Sequence, residues 1–174
     1  MTPPQAVRER LHAHAASLGH PDLRVLPVEN LHVTVLFLGA VARERIGELA
    51  GRLADVAARA ESFPLEIAEA GPGPPRRPSM LWAYVGGADP LLRLSRDMHA
   101  AAAGLAPQAA DPQRVAHITL ARSRRTLRGV ERAKVELDQP SFDVAAAELM
   151  RSLLSPRGAR YETVTTLPLG VTTS

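Results

Sequence analysis

Apolar residues along the chain change between the spacing typical of helices and the short runs typical of strands. Helices are predicted over residues 5–18, 41–60, 89–105 and 127–137. Strands are predicted over residues 23–26, 31–38, 63–67, 80–85, 115–121, 141–154 and 159–169. This order favours an α+β fold with mostly antiparallel pairing, in which two sheet-plus-helix lobes are related by a pseudo-two-fold axis.

The stretch from Gly71 to Ser79 is rich in glycine and proline and predicts a stiff surface loop between two strands. It carries two adjacent arginines, Arg76 and Arg77. Two interpretations are open for them: contact with a polyanion, or simple solvation on an exposed loop.

Composition narrows the class of protein. The 174 residues fit one domain made of two similar lobes, and we assign residues 1–174 to it. The absence of cysteine excludes disulfides, a thiol nucleophile and a cysteine-based zinc site. No apolar run approaches the roughly 18 residues of a membrane span, and the first residues do not resemble a secretion signal. We therefore expect a cytoplasmic monomer that does not contact membranes; its net charge of +3 is compatible with a polyanionic partner.

Two segments carry the same short motif. His32-Val33-Thr34 lies in the predicted strand 31–38, and His117-Ile118-Thr119 lies in the predicted strand 115–121. Because side chains of a strand alternate between its faces, each histidine shares a face with the threonine two positions later. A crude estimate gives about 0.06 chance occurrences of His-apolar-Thr-apolar in such a chain, so two copies indicate a function.

Histidine and threonine in this arrangement are suited to phosphoryl chemistry. An imidazole with a pKa near its usual value of about 6.5 can donate or accept a proton at neutral pH. Two such rings facing one cleft can act on opposite sides of a phosphorus atom, with one of His32 and His117 serving as the acid and the other as the base. The hydroxyls of Thr34 and Thr119 can donate hydrogen bonds to the non-bridging phosphate oxygens, whose charge grows in the transition state. The mechanism needs no metal, and no carboxylate cluster has metal-ligand spacing.

The motifs and their flanks resemble the two-histidine (2H) phosphoesterase superfamily, specifically the LigT-like RNA 2′,3′-cyclic phosphodiesterases. Residues 27–39 (PVENLHVTVLFLG) are similar to the first signature of this family, and residues 117–122 (HITLAR) are similar to the second. Residues 77–83 (RPSMLWA) resemble the segment between the signatures. Residues 149–154 and 158–162 resemble its C-terminal strands.

The resemblance implies a bilobal fold with a central cleft that receives one motif from each lobe. It further implies metal- and cofactor-independent hydrolysis of RNA 2′,3′-cyclic phosphate ends to 2′-phosphomonoesters, with 2′-5′ RNA ligation as the reverse reaction in some relatives. His32 then corresponds to the proton donor and His117 to the base, although the pseudo-symmetry leaves the exchanged roles open. Thr34 and Thr119 would hold the phosphate, and Arg122 is a further candidate for phosphate or RNA contact.

Members of the family begin with a strand that precedes the first helix, whereas this chain starts at that helix. Either the start lies upstream or the sheet lacks one strand. Two alternative functions also remain: a 2H phosphodiesterase for a small cyclic nucleotide phosphate, and a non-catalytic module that binds RNA or nucleotides. Two core histidines without any function are the remaining, purely structural interpretation.

Overall fold

The computed structural model describes residues 1–137, 141–155 and 158–170. Three α-helices are present in this part of the chain: α1 (Gln5–Ser17), α2 (Ile46–Arg59) and α3 (Asp89–Ala101). Its strands, in chain order, are β1 (Arg24–Val25), β2 (Phe63–Gly73), β3 (Met80–Gly86), β4 (His117–Arg122), β5 (Ala133–Lys134), β6 (Ser141–Val144), β7 (Ala146–Ser155) and β8 (Gly158–Pro168).

The strands form two antiparallel sheets of unequal size. The larger sheet has the order β1-β4-β3-β2-β5, and β6 also pairs with β2. The smaller one is the hairpin β7-β8. The predicted α+β class with mostly antiparallel pairing is confirmed.

The helices cover the sheets with amphipathic faces. Leu49, Leu53 and Val56 of α2 are buried at helical spacing, and α2 packs against both α3 and the hairpin. Val7 and Leu11 of α1 are buried in the same hydrophobic core. None of the helices in the described ranges is long and apolar enough to span a membrane.

The strand predicted over residues 31–38 is not observed. This segment forms one antiparallel bridge, between Val33 and Ile118, and joins no ladder. Its other backbone groups use irregular partners: the hydroxyl of the fully buried Ser95 donates to the Val35 carbonyl at 2.6 Å, and the Ala110 N–H donates to the Phe37 carbonyl at 2.7 Å. Leu31, Val33 and Val35 are buried and Phe37 is exposed, so the apolar, β-branched sequence indicated part of the burial but not the missing ladder.

Two further predictions are wrong. The predicted helix 127–137 is irregular and contains β5, whose residues pair with Glu69 and Ala70 of β2; Gly129 has a φ of 70° there, which is not helical. The loop predicted from Gly71 starts later, because β2 continues to Gly73 in register with Met80 of β3.

The first residue occupies a position beside the first motif. The Met1 ammonium donates to the Val33 carbonyl at 3.2 Å, and the Val33 N–H donates to the Met1 carbonyl at 2.9 Å. Glu148 of β7 lies 3.8 Å from the same ammonium. Met1 thus makes the pair of backbone hydrogen bonds that a neighbouring strand would make.

Candidate active site

The β-bridge between Val33 and Ile118 brings the two His-x-Thr motifs side by side. Both bridging side chains are completely buried, while the histidine and threonine on either side of each are half-buried. In this antiparallel register, each histidine lies opposite the threonine of the other motif. The two histidines are diagonal neighbours, a relationship that places residues about 7–8 Å apart.

Both imidazoles are fixed in the same way by the backbone. His32 Nδ1 lies 2.8 Å from the Asn30 carbonyl, and His117 Nδ1 lies 2.9 Å from the Val115 carbonyl. Because a carbonyl only accepts, Nδ1 of each ring must carry the proton and donate it. The Nε2 atoms are left to exchange protons with a substrate. This repeated contact, two residues upstream in both motifs, gives both rings the tautomer required of an acid–base pair.

Burial shifts both histidines towards the neutral form. Loss of hydration lowers the pKa of His32, and the nearby Met1 ammonium and Arg122 lower it further, whereas the bond to Asn30 and the charge of Glu148 oppose the shift. Burial likewise lowers the pKa of His117, with Arg122 acting in the same direction and the bond to Val115 opposing. Arg122 therefore lies close enough for its charge to act on both rings.

Aromatic side chains cover the two imidazoles differently. The Trp82 indole stacks on His117, with ring centroids 3.8 Å apart and planes 19° apart. Tyr161 of β8 meets His32 edge to face at 4.8 Å. The sequence patterns did not assign a role to these aromatic residues. The contact of Trp82 with His117 depends on the register that places Trp82 opposite Thr119, and this register is known only once β3 and β4 are paired.

Trp82 is held in place by its own neighbours. Tyr84 packs edge to face against the indole at 6.1 Å and anchors its hydroxyl on the Pro72 carbonyl at 2.7 Å. A Cβ at Gly73 would stand only 2.3 Å from the indole, so glycine is needed there to make room for the ring. The Arg132 guanidinium lies over the Tyr84 ring, 3.8 Å from its centroid.

The threonines and arginines predicted from sequence are placed unequally. Thr34 and Thr119 flank the bridge, and neither hydroxyl makes a hydrogen bond within the described chain, so both can bind a ligand. Arg122 lies at the end of β4 and contacts the Met80 sulfur at 3.8 Å. Arg76 and Arg77 are exposed on the β2–β3 loop and do not contribute to the pKa shift of either histidine.

Histidine and carboxylate side chains are dispersed around the site rather than clustered. Among residues 1–137, 141–155 and 158–170, no three of them are grouped so that they could hold a metal ion.

The chain is similar to known phosphoesterases in sequence and in fold. A family model described as LigT like Phosphoesterase matches residues 1–82. An RNA 2′,3′-cyclic phosphodiesterase from Aeropyrum pernix is 31% identical over 164 residues, covering 89% of this chain and 90% of the relative.

Solved structures show the same fold. The protein TT0787 of Thermus thermophilus superposes with a TM-score of 0.83 at 24% identity, covering 99% of this chain and 96% of that one. E. coli LigT in its apo form gives a TM-score of 0.77 at 24% identity, with coverage of 96% and 92%. These two structures support the fold assignment.

Proposed function

The chain belongs to the LigT-like phosphoesterase family, and from this premise we propose that it hydrolyses the 2′,3′-cyclic phosphate ends of RNA to 2′-phosphomonoesters. The name of the Aeropyrum pernix relative supports the substrate class. The observation that carries the proposal is the Val33–Ile118 bridge, because it sets two histidines with available Nε2 atoms diagonally across one site.

In the proposed reaction, His117 Nε2 removes a proton from water while the water oxygen forms a bond to phosphorus. His32 enters the reaction as the imidazolium, with a proton on Nε2 in addition to the one on Nδ1. The bond between phosphorus and the 3′-oxygen breaks, and His32 Nε2 gives its proton to that oxygen. The product carries a 2′-phosphate and a free 3′-hydroxyl. The same atoms serve equally if the two histidines exchange roles, as their matching Nδ1 contacts with the backbone allow.

The remaining residues of the site stabilise charge on the phosphate. Thr34 and Thr119 donate their hydroxyl protons to the non-bridging oxygens, and the Arg122 guanidinium supplies positive charge at the end of β4. Neither step needs a cofactor. With the 5′-hydroxyl of a second RNA in place of water, the same groups would form a 2′-5′ linkage.

The test is hydrolysis of an RNA oligomer with a 2′,3′-cyclic phosphate end in excess EDTA, with the product identified by phosphorus NMR. We expect a 2′-phosphomonoester from the wild type and loss of activity in His32→Ala and in His117→Ala. Activity retained by either variant would contradict the site. Turnover of a cyclic mononucleotide but not of the oligomer would instead identify an enzyme for small substrates, and tight binding without turnover would identify a binding module.

Several sequence predictions go with this proposal. The assignment of residues 1–174 to one bilobal domain, the monomeric state and the cytoplasmic location stay predictions. Arg76 and Arg77 also stay predicted contacts with phosphate or RNA.

A further inference from the structure

A second concave site lies beyond the end of β4, away from the histidines. It encloses about 390 Å³ and is lined by His20, Asp22, Arg125, Thr126 and Arg128. One wall is the turn that leads into β1, and the other is the segment that follows β4. Because β1 pairs with the last residues of β4, the cavity lies next to the end of the strand that carries the second motif.

Hydrogen bonds join the two walls of this cavity. His20 Nδ1 accepts from the backbone N–H of Asp22 at 3.2 Å, so its Nε2 carries the ring proton and donates to the Arg128 carbonyl, also at 3.2 Å. A histidine that is not part of the catalytic pair thus ties the turn before β1 to the segment after β4. The cavity is therefore defined by backbone contacts rather than by arginine side chains alone.

The β2–β3 loop is fastened to the same segment. The Ser123 N–H donates to the Ser79 carbonyl at 2.8 Å, and the Leu127 N–H donates to the Pro78 carbonyl at 2.7 Å. The loop that carries Arg76 and Arg77 consequently lies beside the segment that carries the arginines of the cavity. The Leu127 side chain is buried at this junction.

Arginines outnumber carboxylates on this surface. Arg125 and Arg128 line the cavity together with one carboxylate, Asp22, while Arg124 is exposed next to them. The Thr126 hydroxyl adds a neutral hydrogen-bond donor. Guanidinium groups with a hydroxyl between them are well suited to a phosphate group, which accepts several charge-assisted hydrogen bonds at once.

Arg122 connects this surface to the catalytic cleft. Its charge acts on both catalytic histidines, and it lies only three residues before Arg125. Arg125 lies six positions after Thr119, so the two residues are no more than about 22 Å apart even in a fully extended chain. An oligonucleotide can span this distance, whereas a mononucleotide held at the histidines cannot.

We propose that the cavity lined by Arg125 and Arg128 binds a backbone phosphate of the RNA, upstream of the cyclic end held at the histidines. This inference rests on the proposed function for the identity of the polymer. It makes the site selective for cyclic ends carried on a chain, since the additional phosphate contact is made only by an oligomer.

The experiment compares the double variant Arg125→Ala/Arg128→Ala with wild type and with a matched control, Arg93→Ala/Arg96→Ala. The control removes the same charge from exposed positions on α3. Direct binding of an RNA of roughly ten nucleotides with a 2′,3′-cyclic end is measured by fluorescence anisotropy at several salt concentrations. Hydrolysis of the same RNA and of a cyclic mononucleotide is measured in parallel.

We expect the cavity variant to bind the oligomer roughly tenfold or more weakly, as the removal of charged hydrogen bonds predicts. The slope of log Kd against log salt should fall by about 0.7 for each RNA phosphate that the variant no longer neutralises. Hydrolysis of the mononucleotide should keep the wild-type kcat/KM, and the control should behave as wild type throughout.

Equal oligomer affinity in wild type and cavity variant would overturn the inference, and so would an equal loss in the control. An equal loss of activity towards the mononucleotide would also overturn it, because the effect would then belong to the catalytic cleft. If wild type hydrolyses neither substrate, the proposed function fails, and the anisotropy measurement still decides whether this cavity binds RNA.

Discussion

Val33 and Ile118, the central residues of the two His-x-Thr motifs, face each other in an antiparallel bridge and are both completely buried. The geometry of the proposed active site therefore depends on an apolar contact between the two motifs. Residues far apart in sequence are held in register by two side chains that are not exposed to solvent. A change in this contact alters the spacing of all four polar side chains above it.

The first prediction concerns Ile118. Ile118→Ala should lower the free energy of unfolding by about 2–5 kcal/mol, because it leaves a cavity in a packed core, whereas Ile118→Val should cost about 0.5–1.5 kcal/mol. Urea denaturation measures both values. A cost for Ile118→Ala no larger than that of an exposed substitution such as Val164→Ala would contradict the central position of this residue.

The threonine hydroxyls should matter through the transition state. Thr34→Val or Thr119→Val removes a donor but keeps the shape of the side chain, and kcat should fall by about 10²-fold. Thr→Ser at the same positions keeps the hydroxyl and should restore most of the activity. Steady-state kinetics on an RNA with a cyclic phosphate end measures this. If the valine variants raised only KM, the hydroxyls would bind the ground state rather than the transition state.

Trp82 should control the pKa of His117. Trp82→Ala exposes the imidazole to water, and because burial is the main cause of the lowered pKa, the pKa should rise towards about 6.5. Trp82→Phe keeps a ring over the histidine and should leave the pKa near the wild-type value. NMR titration of the imidazole proton signals measures the shift without any substrate. An unchanged pKa in Trp82→Ala would show that the stacked ring does not desolvate His117.

The lowered pKa values also predict how stability depends on pH. The unfolded chain protonates its histidines near pH 6.5, while the folded protein resists protonation of His32 and His117. The two histidines therefore make their full contribution to the free energy of unfolding above about pH 6.5. This contribution is lost as the pH falls from there towards the pKa values of the folded protein. In the double variant His32→Asn/His117→Asn, stability should decline less as the pH falls, because asparagine does not titrate.

The measurement is the free energy of unfolding between about pH 7.5 and pH 5.5. The wild type should lose more stability over this range than the double variant does. His14, whose pKa is also lowered by burial, is present in both proteins and cancels in the comparison. Parallel pH curves for the two proteins would rule out the proposed origin of the shift.

Sequence periodicity predicted the elements that are amphipathic and long. The stripe of Leu49, Leu53 and Val56 predicted α2, and the repeated motif predicted the two histidines that the bridge brings together. It failed where pairing partners decide the structure. Leu127 and Val135 are both buried, as a helix would require, but the chain between them is irregular and pairs with β2.

The surroundings of the site could not be predicted from the sequence for the same reason. The stacking of Trp82 on His117 follows from the register of β3 against β4, and the wall formed by His20 follows from the pairing of β1 with β4. Local sequence reports which residues are apolar or titratable. It does not report which strand lies next to which, and that choice sets the desolvation of both imidazoles.

The most direct test of the account is a double-mutant cycle on kcat/KM with His32→Asn, His117→Asn and the combined variant, using an RNA with a 2′,3′-cyclic phosphate end. Each single change should lower kcat/KM by about 10²–10⁴-fold, and the combined change should cost little more than either, because two histidines that act on one phosphate fail as a unit. Losses that multiply in the combined variant, or near-normal activity in either single variant, would contradict paired catalysis by His32 and His117.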